Sequence, residues 1–245
     1  MNTDRDAFGH ALYDHLQNAA KDKWAIVIER DDGMVDVGDV QDYFAGYADW
    51  PAHQQQALAF ARGRVLDIGC GAGRHALYLQ GQGLDVLGVD ESPLAIETCK
   101  LRGLQQTRVM SITQLSSKLG TFDTILMLGN NLGLFANPVR AGWLLRRFAA
   151  MTGPGARIIA ETLDPYPTSE PLHLAYQQRN RARGRSSGQV TIRVRYRNYA
   201  TPWFDYLFVS REELRGLLEG TGWAVERWID SADARYIAIL TKAGR

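Results

Sequence analysis

From residue 64 onward, short apolar runs alternate with stretches that repeat hydrophobic side chains every three or four positions. Residues 65–68, 85–89, 107–111, 122–128 and 156–162 read as strands, and helical spacing separates most of them. The helix after residue 73 runs to about Gln80, where Gly81 and Gly83 stop it. Ser92-Pro93 supplies an N-cap and a first-turn proline for the next helix, which ends at Arg102-Gly103. Asn137-Pro138 opens a third helix that stops at Gly153-Pro154-Gly155. Ser210-Arg211-Glu212-Glu213 has the spacing of a capping box and precedes a helix ending at Gly220. Residues 224–229 and 235–240 read as two closing strands. Repeated strand–helix–strand units predict a parallel sheet with right-handed crossovers.

Two segments depart from this rhythm. In residues 1–62, Phe8, Leu12 and Leu16 recur every fourth position and predict a short amphipathic helix. Further helices are expected over residues 40–47 and after Trp50-Pro51, with a turn at Asp31-Asp32-Gly33, so this segment reads as a helical cap. Residues 164–209 begin with Pro165, Pro167 and Pro171 and continue into an arginine-rich stretch. Residues 189–199 then alternate Ile192, Val194 and Tyr196 with Arg193, Arg195 and Arg197, which predicts a strand. Residues 203–209 are expected to pair with it as an antiparallel ribbon inserted into the core.

The chain has 245 residues, of which 45% are hydrophobic and 22% charged. That is ordinary for a globular protein and too apolar for disorder. A single domain is expected, with residues 63–163 and 210–245 as its core. A net charge of +1 argues against a uniformly basic nucleic-acid coat, although charge is uneven. The first fifty residues hold eleven acids against four bases, and seven arginines fall between Arg179 and Arg197. Cys70 and Cys99 make no disulfide framework, no run approaches the ~18–20 apolar residues of a membrane span, and the polar start does not resemble a secretory signal. A cytoplasmic location is expected. His10, His15, His53 and His75 lack metal-ligand spacing with one another or with the cysteines, so no metal site is predicted.

The chemistry concentrates in Val65-Leu66-Asp67-Ile68-Gly69-Cys70-Gly71-Ala72-Gly73-Arg74. Glycines at a strand-to-helix turn let backbone approach a ligand, and the helix start adds free amides. A dinucleotide fingerprint wants its third glycine at position 74, which is Arg74. Asp67 repels a pyrophosphate and favours a ligand with a cationic end, such as S-adenosylmethionine. Asp90 ends the next strand, 23 residues after Asp67, where an acid accepts hydrogen bonds from a ribose.

On these residues the chain resembles the class I S-adenosylmethionine-dependent methyltransferases. The resemblance implies a three-layer α/β/α Rossmann-like fold with a mostly parallel seven-strand sheet. It implies S-adenosyl-L-methionine as cofactor and S-adenosyl-L-homocysteine as product. Asp67, Gly69, Cys70, Gly71 and Gly73 are implied at the methionine end, Asp90 at the ribose, and Glu91 and Ser92 beside the adenosine. Ser111 and Ile112 stand where the family contacts adenine; no acid is present there, so a backbone contact is expected. Leu128 and Gly129 end the strand that borders the methyl group in the family. The motifs for base exocyclic amines and for pyrimidine carbon are absent.

Asn130 and Asn131 then either form a turn or position cofactor or substrate. His173 and Tyr176, in the insertion, are candidates for acting on substrate. Arg193 and Arg195 either bind an anionic small molecule, track nucleic-acid phosphates, or form a solvated strand face, with pairing to the acidic N-terminal segment as an option within that third reading. Methyl transfer to a small molecule is the expected activity. RNA methylation through the arginine-rich insertion and a catalytically silent cofactor-binding protein are the alternatives. The acceptor atom and the oligomeric state are not legible.

Overall fold

A computed structural model describes residues 3–18 and 25–242; residues 1–2 and 19–24 of the expected cap and 243–245 of the expected core lie outside those ranges. Along the chain run α1 (Ala7–Asn18), β1 (Ala25–Arg30), β2 (Val35–Asp39), α2 (Ala52–Leu58), β3 (Arg64–Ile68), α3 (Arg74–Gly81), β4 (Asp85–Asp90), α4 (Pro93–Leu101), β5 (Gln106–Val109), β6 (Phe122–Met127), α5 (Pro138–Ala150) and β7 (Thr152–Leu163). Then follow α6 (Pro171–Ala182), β8 (Gln189–Tyr196), β9 (Tyr199–Ala200), β10 (Phe204–Leu207), α7 (Arg211–Leu218), β11 (Trp223–Asp230) and β12 (Arg235–Lys242). The fold is α/β with a mixed sheet of seven strands, as expected. The chain divides into two compact units: residues 1–50, 64–114 and 192–204, and residues 51–63, 115–191 and 205–245.

In the first unit, β3, β4 and β5 are parallel neighbours, with Asp67 opposite Gly88 and Asp90 opposite Val109. The helix signals work as read: the Ser92 hydroxyl accepts from the Ala95 amide, and Pro93 opens α4. The helical cap needs a correction. α1 is present, but residues 40–47 hold a short 3-10 turn (Val40–Tyr43), and an antiparallel hairpin, β1–β2, precedes it. The Asp31-Asp32-Gly33 turn joins the two strands, and Arg30 clamps it through two bonds to the Asp32 carboxylate. β1 pairs on its other side with β8, Val27 opposite Arg195. Ala7, Ala11, Leu12, Ile26, Val40, Ala72, Ala95 and Tyr196 form the core beneath this layer.

In the second unit the strands run in the order β11-β12-β7-β6. β12 is antiparallel to both neighbours, whereas β6 and β7 are parallel. Asn137 caps α5, and the Ser210–Glu213 capping box of α7 forms in both directions. The inserted ribbon is present, with β10 beside β8. The proline-rich entry to it is more ordered than expected, because Pro171 opens the twelve-residue helix α6. No helix among the described residues is long and apolar enough to cross a membrane.

Candidate functional site

The glycine turn after β3 is built almost entirely from backbone. Gly69, Gly71 and Gly73 have φ of 70°, 55° and 78°, a region that costs glycine little. The amides of Gly69 and Cys70 both donate to the Val89 carbonyl, which ties the turn to β4. Arg102 donates to the Ala72 carbonyl, and the Cys99 thiol donates to the Gly71 carbonyl. Cys70 is buried with its sulfur 3.8 Å from that of Cys99, and both are free thiols. Phe8 and Tyr43 meet edge to face, and both lie within van der Waals reach of a methyl built on Gly71. The N-terminal segment thus covers the turn.

Asp67 ends β3 only 2% exposed, and its Oδ2 has no hydrogen-bond partner. Burial, followed by the charge of Asp90, pushes its pKa up to about 7, against the opposing pull of Arg74 and the Ala76 amide. Burial likewise raises Asp90 to about 6. Its Oδ2 accepts from the Gly71 amide at 3.0 Å and its Oδ1 from the Ser92 amide at 2.9 Å. The loop thereby orients both carboxylate oxygens, and each keeps a lone pair for a further donor. Ser92 also donates to Asp6 at 2.8 Å, which docks α1 on the start of α4. Glu91 is exposed. Beyond β5, the Ser111 amide is taken by the Gln114 side chain, and Ile112 is buried. An orphaned buried carboxylate oxygen beside a second acid fits a ligand that brings a cation or N–H donors, and disfavours an anionic one.

The end of β6, in the second unit, is held from two directions. Gly129 has φ 72° and Asn130 φ 63°, and Leu128 before them is buried. The Gly129 amide donates to Glu161 Oε2 at 2.6 Å, and the Tyr206 hydroxyl donates to the Asn130 carbonyl at 2.6 Å. Asn130 Oδ1 is buried without a partner. Asn131 opens the 3-10 turn Asn131–Phe135. Within that turn, a Cβ on Gly133 sits 1.9 Å from the Tyr206 ring. Gly133→Ala is therefore expected to force Tyr206 off the Asn130 carbonyl and cost about 1–3 kcal/mol. An unchanged urea midpoint counts against this clamp.

Glu161, on β7, is fully buried and takes three donors. His53 Nε2 lies 2.9 Å from Oε1, and the Gln54 amide and Gly129 N–H reach Oε2. Burial acts to raise its pKa, but the bonds from His53, Gly129 and Gln54 and the His53 charge outweigh it and hold the carboxyl below its usual range. Sequence reading missed Glu161 and Gln54. The only available signal was an acid inside an apolar strand pattern, Ile158-Ile159-Ala160-Glu161-Thr162.

The insertion's candidates are largely engaged within the fold. The Tyr176 hydroxyl accepts from the Thr191 amide, and the side chain is buried. His173 lies in the first turn of α6, half-buried. Arg193 makes a two-pronged pair with Glu29 and stacks on Trp203. Arg195 reaches the same carboxylate at 3.5 Å, and Arg197 bonds Asp14. These three arginines of the ribbon thus pair with acids of the N-terminal segment, Arg193 and Arg195 with Glu29 and Arg197 with Asp14. Among the described residues, no group of three or more His, Cys, Asp or Glu could hold a metal ion.

A family model described as a methyltransferase domain matches residues 65–155. Curated relatives include ubiquinone biosynthesis O-methyltransferases. That of Xanthomonas oryzae pv. oryzae is 28% identical over 118 residues, 46% of this chain and 48% of the relative. That of Dechloromonas aromatica is 30% identical over 120 residues, 46% of this chain and 50% of the relative. The chain thus spans about half the length of the curated relatives it matches. A methyltransferase from Bacteroides fragilis, solved with S-adenosyl-L-homocysteine, aligns over 100% of this chain and 98% of its own, at 26% identity and a TM-score of 0.84. The didemethyltoxoflavin N1-methyltransferase of Burkholderia thailandensis shares the fold at 19% identity and a TM-score of 0.53, over 81% of each chain.

Proposed function

Because the chain belongs to the class I S-adenosylmethionine-dependent methyltransferase family, we propose that it transfers a methyl group from S-adenosylmethionine to a small molecule. The observation that carries this reading is the buried, unpartnered Oδ2 of Asp67 beside the glycine turn. An ammonium end meets that atom with charge and hydrogen bonds together. The amides after Gly69 line the same turn. Asp90, fixed by Gly71 and Ser92, offers its remaining lone pairs to the ribose hydroxyls. Ser111 and Ile112 stand at the adenine position.

The cofactor supplies an electrophilic methyl on a sulfonium; the chain's work is to bind, orient and exclude water. In the family the fourth core strand ends at the methyl group, and here Leu128, Gly129 and Asn130 directly follow that strand. The Glu161 and Tyr206 bonds hold this end in one conformation, and Asn130 Oδ1 keeps an acceptor for a protic group of the substrate. The relatives named for ubiquinone biosynthesis and the structural neighbour named for a toxoflavin precursor support a small-molecule acceptor. Four of the seven arginines that favoured nucleic acid in the sequence, Arg185, Arg193, Arg195 and Arg197, are paired with carboxylates, which weakens the RNA alternative.

The test is transfer of labelled methyl from S-adenosylmethionine into cell extract, fractionated into metabolites, RNA and protein. Label in the metabolite fraction is expected. Label confined to RNA would replace the small molecule with the insertion-bound alternative. Binding of S-adenosyl-L-homocysteine with no label in any fraction would favour a silent protein.

A further inference from the structure

We propose that His53, oriented by Glu161, takes the proton from the methyl acceptor, and that the acceptor atom is therefore a hydroxyl oxygen. The proposal rests on the methyltransferase reading and deepens it. α2 begins right after Pro51, so His53 lies in its first turn, and the side chain is buried. Glu161 is held ionised by its donors, and an ionised carboxylate only accepts, so the ring nitrogen facing it, Nε2, carries the hydrogen. Nδ1 is then the basic nitrogen. Among the described residues the ring makes its hydrogen bond through Nε2, which leaves the Nδ1 lone pair for a substrate proton; the side chain is 3% exposed.

The location follows from the same carboxylate. Oε1 holds the histidine and Oε2 holds the Gly129 amide, so one buried acid joins the ring to the end of β6. Asn130, the next residue, adds its unmet Oδ1. A base, an acceptor and a rigid turn thus belong to one hydrogen-bonded unit, all within the second compact unit. Glu161 from β7 is the charged group bonded to the ring, and Arg235 at the start of β12, itself paired with Asp233, interacts electrostatically with Glu161.

This arrangement suits one class of acceptor. An amine or thiolate reacts from its own lone pair, whereas a hydroxyl is a poor nucleophile until its proton leaves. As the acceptor oxygen bonds to the methyl carbon, its proton passes to His53 Nδ1. The carbon–sulfur bond breaks with its electron pair on sulfur, and the sulfonium charge is discharged. The imidazolium is balanced by Glu161 and later returns its proton to water. Glu161 acts as a positioning residue.

The test combines three measurements on the full chain. In the wild type, nitrogen-15 NMR of the imidazole is expected to show His53 protonated at Nε2 and bare at Nδ1. His53→Gln is expected to bind S-adenosyl-L-homocysteine within about twofold of wild type while transferring methyl about 100-fold more slowly. Glu161→Gln keeps an acceptor for the ring but removes the charge that balances the imidazolium, so kcat is expected to fall about tenfold with the KM for the acceptor little changed. The labelled product should be a methyl ether. Wild-type turnover in His53→Gln, its failure to bind the homocysteine product, a bare Nε2, an unchanged kcat in Glu161→Gln or an N-methyl product each overturns the assignment. A wild-type chain that binds no S-adenosyl-L-homocysteine overturns the methyltransferase reading itself, and the proposal with it.

Discussion

Asp67→Asn is expected to raise the melting temperature of the ligand-free protein at pH 8 while weakening S-adenosyl-L-homocysteine binding at least about 30-fold. Both effects come from one buried oxygen. Burial and the neighbouring Asp90 move the native pKa of Asp67 to about 7 from 3.8. The native state therefore holds a proton that the unfolded state has lost between roughly pH 4 and 7, so stability falls as pH rises through that window. Above pH 7 the ionised group costs on the order of 4 kcal/mol, and asparagine removes that cost. At about 2–4 °C per kcal/mol for a chain of this size, a rise of several degrees is expected, shrinking as pH falls toward 4. Binding runs the other way. An ammonium end prefers the carboxylate, so wild-type affinity should weaken about tenfold per pH unit below about 7, and this part of the pH dependence should vanish in the variant. A thermal melt series and calorimetry across pH 5–8 read both. A variant that melts lower at pH 8, or binds as wild type, removes Asp67 from this role.

The largest loss of stability is expected from Glu161→Ala. Three donors converge on that carboxylate: His53 Nε2, Gln54 Nε2 and the Gly129 amide. Removing it strands them in a dry interior and opens a cavity. The expected cost is about 3–5 kcal/mol, the range for removing one member of a buried charged pair. Urea denaturation should show the midpoint fall with little change in slope. A loss below about 1 kcal/mol means that water replaces the carboxylate and that the cluster does not hold β6.

The core was legible because its signals are local. Ser92-Pro93, Asn137-Pro138 and the Ser210–Glu213 box each place a helix end from four residues, and the glycine turn needs no partner to be recognised. The β1–β2 hairpin was not legible. Its alternation at Val35 and Val37 is crowded by Asp31, Asp32, Asp36 and Asp39, and its stabilising neighbour β8 is remote in sequence. The arginines of β8 looked like a ligand surface for the same reason: Glu29, which pairs with Arg193, stands 164 residues away. Asp67 and Asp90 were singled out from spacing, whereas Glu161 and His53 were not. Their meaning lies in a contact between a strand and a helix more than a hundred positions apart.

The pairing of Val27 with Arg195 also sets an order of assembly. On a ribosome, the glycine turn and its β3–β4 neighbours can close as soon as their short stretch of chain emerges. β1 must wait until nearly the whole chain has been made before β8 arrives, and loop closure over that span is slow. The α1 segment carrying Phe8 shares a core with β1 and with Tyr196 of β8. The cover over Gly71 therefore gains its β8 support only after residue 196 has been made, and until then the N-terminal segment lies on the turn through Phe8, Tyr43 and the Asp6–Ser92 bond.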